Sequence, residues 1–153
     1  GDTTGGDLFG DLELSANAVG VCDDANGMAM AFACSNKRAG KFLIDHQLIQ
    51  LGINEMNMLT EALRSFVMRV AWEHDQGQRS ANGVLMVNYS TDVIRRVTRL
   101  NMDIHGAEGC RNNPRVSKLA RDAMIWTHLA GDTVLRLKAV TKLERPGLAE
   151  AAA

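Results

Sequence analysis

This chain is poor in the residues that build sheets, disulfide frameworks and charged binding surfaces. It has 2 prolines in 153 residues, and aromatic residues make up only 5%. That scarcity argues against a β-sandwich and in favour of helices. Cysteine is scarce too, and Cys22, Cys34 and Cys110 form an odd set without the spacing of a metal site. They place the chain in a reducing, cytoplasmic setting, where cysteine acts as a small apolar residue. An excess of one charge is also missing. The 17 Lys and Arg against 18 Asp and Glu leave a net charge of -1, with no electrostatic footprint for nucleic acid. No apolar run approaches the length of a membrane span, so no membrane partner is expected. The opening Gly1-Asp2-Thr3-Thr4-Gly5-Gly6 reads as a flexible lead-in rather than a signal peptide.

What is present is helical pattern. The length is that of one domain that buries about two-thirds of its unfolded surface. The first expected helix, about 8–36, is dense in small residues: Ala16, Ala18, Gly20, Ala25, Gly27, Ala29, Ala31 and Ala33. Ala18, Gly20, Gly27 and Ala31 suggest a face for close helix contact inside or between subunits, with Leu12, Val19, Met28 and Phe32 filling the gaps. Each glycine costs a helix about 1 kcal/mol relative to alanine, so packing must supply the stability. Gly40 marks a break among the basic Lys37, Arg38 and Lys41. A second helix over about 45–75 carries Ile49, Ile53, Met56, Leu59, Leu63, Phe66 and Val70 in steps of three and four. That is the 3.6-residue period sustained over many turns. Ile53, Met56, Leu63 and Phe66 are expected in the core.

Gly77 ends that helix, and Ser80 or Asn82 can cap the next. The third helix carries Val84, Val87, Ile94, Val97 and Ile104 on one face, with Arg95, Arg96 and Arg99 off it on a solvated surface. Asn113 and Pro114 make an N-cap and first-turn pair for a fourth helix reaching about Leu129. Asp132 can cap a short fifth helix that Pro146-Gly147 stops, and the alanine-rich tail has nothing to pack against. The fold class is therefore all-α, an antiparallel four-helix-type bundle with a short fifth helix. Its expected extent is 8–145, between a flexible lead-in at 1–7 and a disordered tail at 146–153.

Ready-made chemistry is sparse. A di-metal carboxylate bundle needs Glu-x-x-His pairs on facing helices. None of His46, His74, His105 and His128 has a glutamate three residues earlier, so no metal site is expected. No local signature supports a Cys-His nucleophile pair. His105, beside Gly106, reads as a helix-end residue bonding backbone carbonyls.

The order of motifs is more specific. Asn36-Lys37-Arg38-Ala39-Gly40 and His46-Gln47 come first. Ala71-Trp72-Glu73-His74-Asp75-Gln76-Gly77 follows, then Asp103-Ile104-His105-Gly106-Ala107-Glu108-Gly109. Lys118-Leu119-Ala120-Arg121-Asp122-Ala123 and His128-Leu129-Ala130-Gly131-Asp132-Thr133 complete the series. Over roughly 8–144, this series resembles the C-terminal helical domain of the acyl-CoA dehydrogenases, which oxidise acyl-CoA thioesters at the α,β carbons.

The resemblance implies FAD as cofactor, bound only with further domains or a partner. It also implies a homo-oligomer or a partner dehydrogenase subunit, and an acyl-CoA substrate only in the complete enzyme. Arg38, His46, Gln47, Asp103, Gly106 and Ala107 fall in the family's cofactor-binding segments. The family's arginine-x-x-phenylalanine-glycine turn appears with Asn36 and Ala39 in place of arginine and phenylalanine. Asp103 stands where the family has glutamine, and a carboxylate there repels a pyrophosphate. Ala130 occupies the position of the catalytic glutamate. The alternative position used by some members falls at Gly10, followed by Asp11 where arginine is usual. Glu13 and Asp132 are the remaining carboxylate candidates, and no catalytic residue is assigned. Three readings stay open: part of a dehydrogenase, a structural subunit or assembly module without flavin, and a helical adaptor unrelated to flavin. The chain alone is expected to be inactive and colourless, and to assemble through helices of its C-terminal half.

Overall fold

The computed structural model describes residues 8–78, 81–111, 113–129, 131 and 133–143. The lead-in, Ser80, Ala130, Asp132, Pro146-Gly147 and the tail lie outside the described residues. Helix α1 spans Leu8–Ser35, α2 Gln47–Asp75 and α3 Asn82–His105. Two shorter helices, α4 (Ala107–Arg111) and α5 (Pro114–Leu129), follow, and α6 (Thr133–Leu143) ends the described chain. Between α1 and α2 sit two strands, β1 (Lys37–Arg38) and β2 (Lys41–Phe42), and a single 3-10 turn, Leu43–Asp45. The antiparallel pair sets Lys37 against Phe42 and Arg38 against Lys41. Its two-residue turn, Ala39-Gly40, has positive φ at both positions, 50° and 81°. That conformation matches the twist of a tight hairpin. The sequence pattern showed only a break here.

The long helices alternate in direction, and α1 packs most extensively on α3, which also carries α2 and α5. The core joins Ala18, Val19, Cys22, Ala25, Ala29 and Ala33 of α1 to Ile53, Met56 and Leu63 of α2. Val93, Ile94, Val97 and Ile104 of α3 and Ala123 of α5 complete it. Apart from Val19, the stripe on α1 is small side chains at helical spacing, which lets α3 approach closely. Of the small residues expected to make close helix contact, only Ala18 lies in this stripe inside the bundle. Gly20, Gly27 and Ala31 are exposed, and a Cβ added at either glycine would touch nothing within 4 Å. At 100° per residue, positions 20 and 27 fall on the side of the helix away from 18, 22, 25 and 29.

Two further expectations are corrected. Phe66 is only half buried: Ile53, Met56 and Leu63 point into the core, while the Phe66 ring leans on Tyr89 at the edge of a surface groove, with ring centroids 6.4 Å apart. Asn82 does not cap α3. It is the first helical residue, preceded by Ala81, and its amide donates to both Glu73 oxygens at 3.0 and 2.8 Å. Arg69 Nε donates to the same carboxylate at 2.9 Å, so the buried Glu73 ties the α2–α3 connection together.

The fourth helix begins as expected, with Asn113 Oδ1 accepting from the Val116 amide at 3.3 Å. The arginines at 95, 96 and 99 are exposed. Arg96 reaches across to Glu55 of α2 with contacts of 2.6 and 2.9 Å, and its hydrogen bonds hold the Glu55 carboxyl below the usual range.

Candidate functional site

Chain direction collects the singled-out residues at one end of the bundle. Helix α1 ends there, α2 begins there and α3 ends there. The Phe32 ring of α1 stacks on His105 of α3, with centroids 4.2 Å apart and planes 29° apart. Nδ1–H of the buried His105 donates to the Asn101 carbonyl at 2.8 Å, the helix-end role expected for it. The Asn36 carbonyl accepts from the Leu43 amide at 2.8 Å, which folds the hairpin back over the start of α2.

Two glycines shape the turn after α3. Gly106 has φ 56° and ψ -138°, a left-handed backbone that side-chain-bearing residues avoid. Its amide closes α3 on the Met102 carbonyl at 2.9 Å. Gly109 is needed for space: an added Cβ would lie 2.9 Å from the His105 Cβ and 3.3 Å from the Val116 side chain. The short α4, which follows Gly106 and contains Gly109, has no signal in the apolar pattern.

At this end Arg38 is exposed, and its Nη1 donates to the Lys37 carbonyl at 3.1 Å. His46 Nε2–H donates to the Arg38 carbonyl at 3.1 Å and so fixes the hairpin against the α2 entrance. Gln47 is exposed at the first position of α2. The Lys37 ammonium lies 4.5 Å from the centre of the Phe42 ring, and Lys41 Nζ donates to the Asp45 carbonyl at 3.1 Å. Asp103 and Ala107 are exposed on the other side of the Gly106 turn. Arg99 Nε lies 4.0 Å from the Asp103 carboxylate.

Away from this end, Asp11 is buried in an ion pair with Arg136, which joins the start of α1 to α6. Sequence reasoning treated Asp11 only as a departure from a family arginine; its role as an anchor depends on a partner 125 residues away. Glu13, two residues on, is exposed. Ala130 and Asp132 are outside the described residues, and residue type alone removes a carboxylate from position 130. Among the described residues, no group of three His, Cys, Asp or Glu side chains could hold a metal ion. Among them, too, no helix is long and apolar enough to cross a membrane.

Comparison with known proteins accounts for this arrangement. Residues 10–142 match the family described as acyl-CoA dehydrogenase, C-terminal domain. The chain belongs to this family. A short-chain-specific acyl-CoA dehydrogenase of Megasphaera elsdenii is 26% identical over 129 residues, covering 84% of this chain and 34% of that protein. A probable acyl-CoA dehydrogenase, YngJ, of Bacillus subtilis strain 168 is 25% identical over 117 residues, covering 76% and 31%. In three dimensions, butyryl-CoA dehydrogenase from Megasphaera elsdenii superposes with a TM-score of 0.82 at 25% identity. That superposition covers 87% of this chain and 35% of that structure. The chain thus spans about a third of the length of these relatives and corresponds to their C-terminal helical domain.

Membership in the acyl-CoA dehydrogenase family implies FAD as cofactor. The residues at the hairpin end fit one wall of such a site. Lys37, Arg38 and Lys41 bring three cations to a two-stranded turn, and the backbone at Gly106 carries no side chain to block a ligand. Asn36 contributes no charge there. Its amide turns inward to the Phe32 carbonyl at 3.0 Å and to Ser35 Oγ at 3.2 Å. The exposed Asp103 carboxylate sets a like charge against any phosphate on its side of the turn.

Proposed function

We propose that this chain works as the C-terminal bundle of an FAD-dependent acyl-CoA dehydrogenase, in the α,β-oxidation of acyl-CoA thioesters. Its tasks are to supply one wall of the flavin site and to hold the oligomer together. Catalysis requires the rest of the fold, from a longer polypeptide or a partner subunit. The observation that carries this reading is the convergence of the hairpin and the Gly106 turn at one end of a family-matched bundle. In this reading Arg38 meets phosphate, while His46 and Gln47 hold the α2 entrance. Asp103, Gly106 and Ala107 line the opposite edge. FAD, when bound, supplies the redox chemistry, and the bundle's residues bind and orient it. The family membership and the unpaired cysteines suit a cytoplasmic setting.

Removing a proton from the acyl α carbon needs a carboxylate within hydrogen-bond reach. Position 130 is alanine, and position 10 is glycine. Asp11 is committed to Arg136. The carboxylates left in this chain as candidates are Asp132 and the exposed Glu13, and otherwise the base comes from another chain. The same substitutions favour a second reading, a structural subunit in a heteromeric dehydrogenase whose partner supplies the base. The inward turn of Asn36 favours it as well.

The test is direct. The chain alone, with FAD and an acyl-CoA, is expected to reduce no electron-accepting dye above the no-protein control. It is also expected to show no flavin absorbance, read near roughly 450 nm as a property of the cofactor. Acyl-CoA-dependent dye reduction by the chain alone overturns the dependence on other domains. Stoichiometric FAD on the isolated chain would show that the bundle is a complete site rather than one wall.

A further inference from the structure

Helix α3 carries an amide in the middle of the core. Asn101 is fully buried, and neither its Nδ2 nor its Oδ1 has a hydrogen-bond partner among the described residues. A buried amide without partners has given up its bonds to solvent and gained none in return, which is strongly unfavourable. The backbone carbonyl of the same residue is already in use, accepting from His105 Nδ1.

The neighbouring helix carries a second such group at the same height. Ser15 contacts Ser90, 75 residues on, and Phe32 stacks on His105, 73 residues on. Helices α1 and α3 therefore run side by side in one direction, and Asn101 is level with positions 26–28 of α1. The fully buried residues on either side of that level, Ala25 and Ala29, present only methyl groups. Asn26 presents an amide. Its Nδ2 donates to Thr60 Oγ1 of α2 at 3.0 Å, and Thr60 in turn donates to the Met56 carbonyl at 2.8 Å. Because the Thr60 proton is engaged, Thr60 can only accept from Asn26, and this fixes which way the Asn26 amide points. Its Oδ1 is turned away from Thr60, buried and without a partner.

We infer that the core holds internal water where α1, α2 and α3 meet, bound between the amides of Asn26 and Asn101. The chemistry selects water over other small ligands. Asn101 Nδ2 needs an acceptor, while Asn101 Oδ1 and Asn26 Oδ1 need donors. A metal cation cannot accept a hydrogen bond, and a carboxylate or phosphate cannot donate one. An ion would also lack a counter-charge, since the neighbouring Asp23 and Asp24 are paired with Arg64 and Arg115. Water is neutral, both donates and accepts, and makes about three bonds in a protein interior. One molecule accepts from Asn101 Nδ2 and donates to Asn26 Oδ1. Its second proton serves a further water that reaches Asn101 Oδ1. The inference does not rest on flavin binding, and its tests read hydration and stability rather than cofactor or activity.

A high-resolution crystal structure of the full chain is expected to show ordered water within hydrogen-bond distance of both Asn101 Nδ2 and Asn26 Oδ1. In solution, magnetisation transfer from water to the Asn101 side-chain amide protons is expected, with the sign of a long-lived complex. Asn26→Ala removes one partner of the water and should weaken that transfer. Asn101→Leu removes both unpartnered atoms at similar volume and is expected to leave the unfolding constant unchanged or more favourable to the folded state. Shared water also couples the two sites. The unfolding constant of the double variant should depart from the product of the single effects by about threefold or more. Both measurements on the parent protein stand whether or not a variant folds. A dry contact between the two amides in the crystal overturns the proposal. So does an Asn101 amide with no water beside it, no transfer from water in solution, or single effects that simply multiply.

Discussion

Cys22 shows how burial sets the chemistry of a single side chain. It sits in the α1 stripe that faces α3, and desolvation, reinforced by the neighbouring Asp23 carboxylate, pushes its thiol up to about 12. Cys34 and Cys110 are exposed. A disulfide reagent at mildly alkaline pH should therefore modify two thiols rapidly and the third only on unfolding; three rapid reactions would place Cys22 at the surface. The raised value also has a sign for stability. Above the ordinary value of 9.0 the unfolded thiol ionises while the folded one keeps its proton. Stability is unaffected by this group below that pH and is lost as pH rises from there towards about 12. The slope approaches about 1.4 kcal/mol per pH unit, and a Cys22→Ala variant should lose that part of the alkaline dependence in denaturant titrations. Core position is tested by a neighbouring pair on α2. Leu63→Ala should cost about 2–5 kcal/mol, the usual range for a buried leucine. Phe66→Ala should cost less, because its ring is half exposed. An equal or larger loss at Phe66 in urea unfolding would contradict that assignment.

Helices here are held in place by long-range contacts as much as by their own pattern. Helix α6 is the clearest case, since it is 11 residues long and too short to persist alone. The pairing of Arg136 with Asp11 fixes it to the start of α1, with both side chains largely buried. Removing Arg136 leaves the Asp11 carboxylate buried without this counter-ion. Arg136→Met is accordingly expected to cost about 3–5 kcal/mol. The double substitution Asp11→Leu with Arg136→Met should recover most of that loss, because an apolar pair of similar size replaces a desolvated ion pair. Denaturant unfolding of the two variants decides it: a cost below about 1 kcal/mol for Arg136→Met would show that the pair does not anchor α6. The α2–α3 connection is secured in another way, by one buried carboxylate, Glu73, accepting from Arg69 and Asn82. Asn82 therefore acts across the turn rather than as the cap its residue type suggests.

At the scale of the whole molecule, the hairpin, the α2 entrance and the Gly106 turn lie together at one end of the bundle. In a complex containing the remaining domains, Arg38→Ala is expected to weaken FAD retention, seen as loss of flavin absorbance on dilution or gel filtration. Unchanged retention would remove Arg38 from the proposed cofactor wall.

The amino-acid sequence by itself determined the all-α class, the three long helices and the start of α5. Each rests on local information: a 3.6-residue apolar period, the Asn113-Pro114 pair, or a glycine at a helix end. The ordered motifs also placed the chain in its family, and they named the two segments that meet at the hairpin end. Only the tertiary structure decided which small residues of α1 are buried. Alanine and glycine occupy several sides of that helix, so its hydrophobic pattern is nearly uniform, and the position of α3 makes the choice. The tertiary structure alone paired Asp11 with Arg136 and Asn82 with Glu73, because residue type identifies a polar group without identifying its partner. It also stacked Phe32 on His105, bringing together segments some seventy residues apart by chain direction and close packing, neither of which is written in any local stretch.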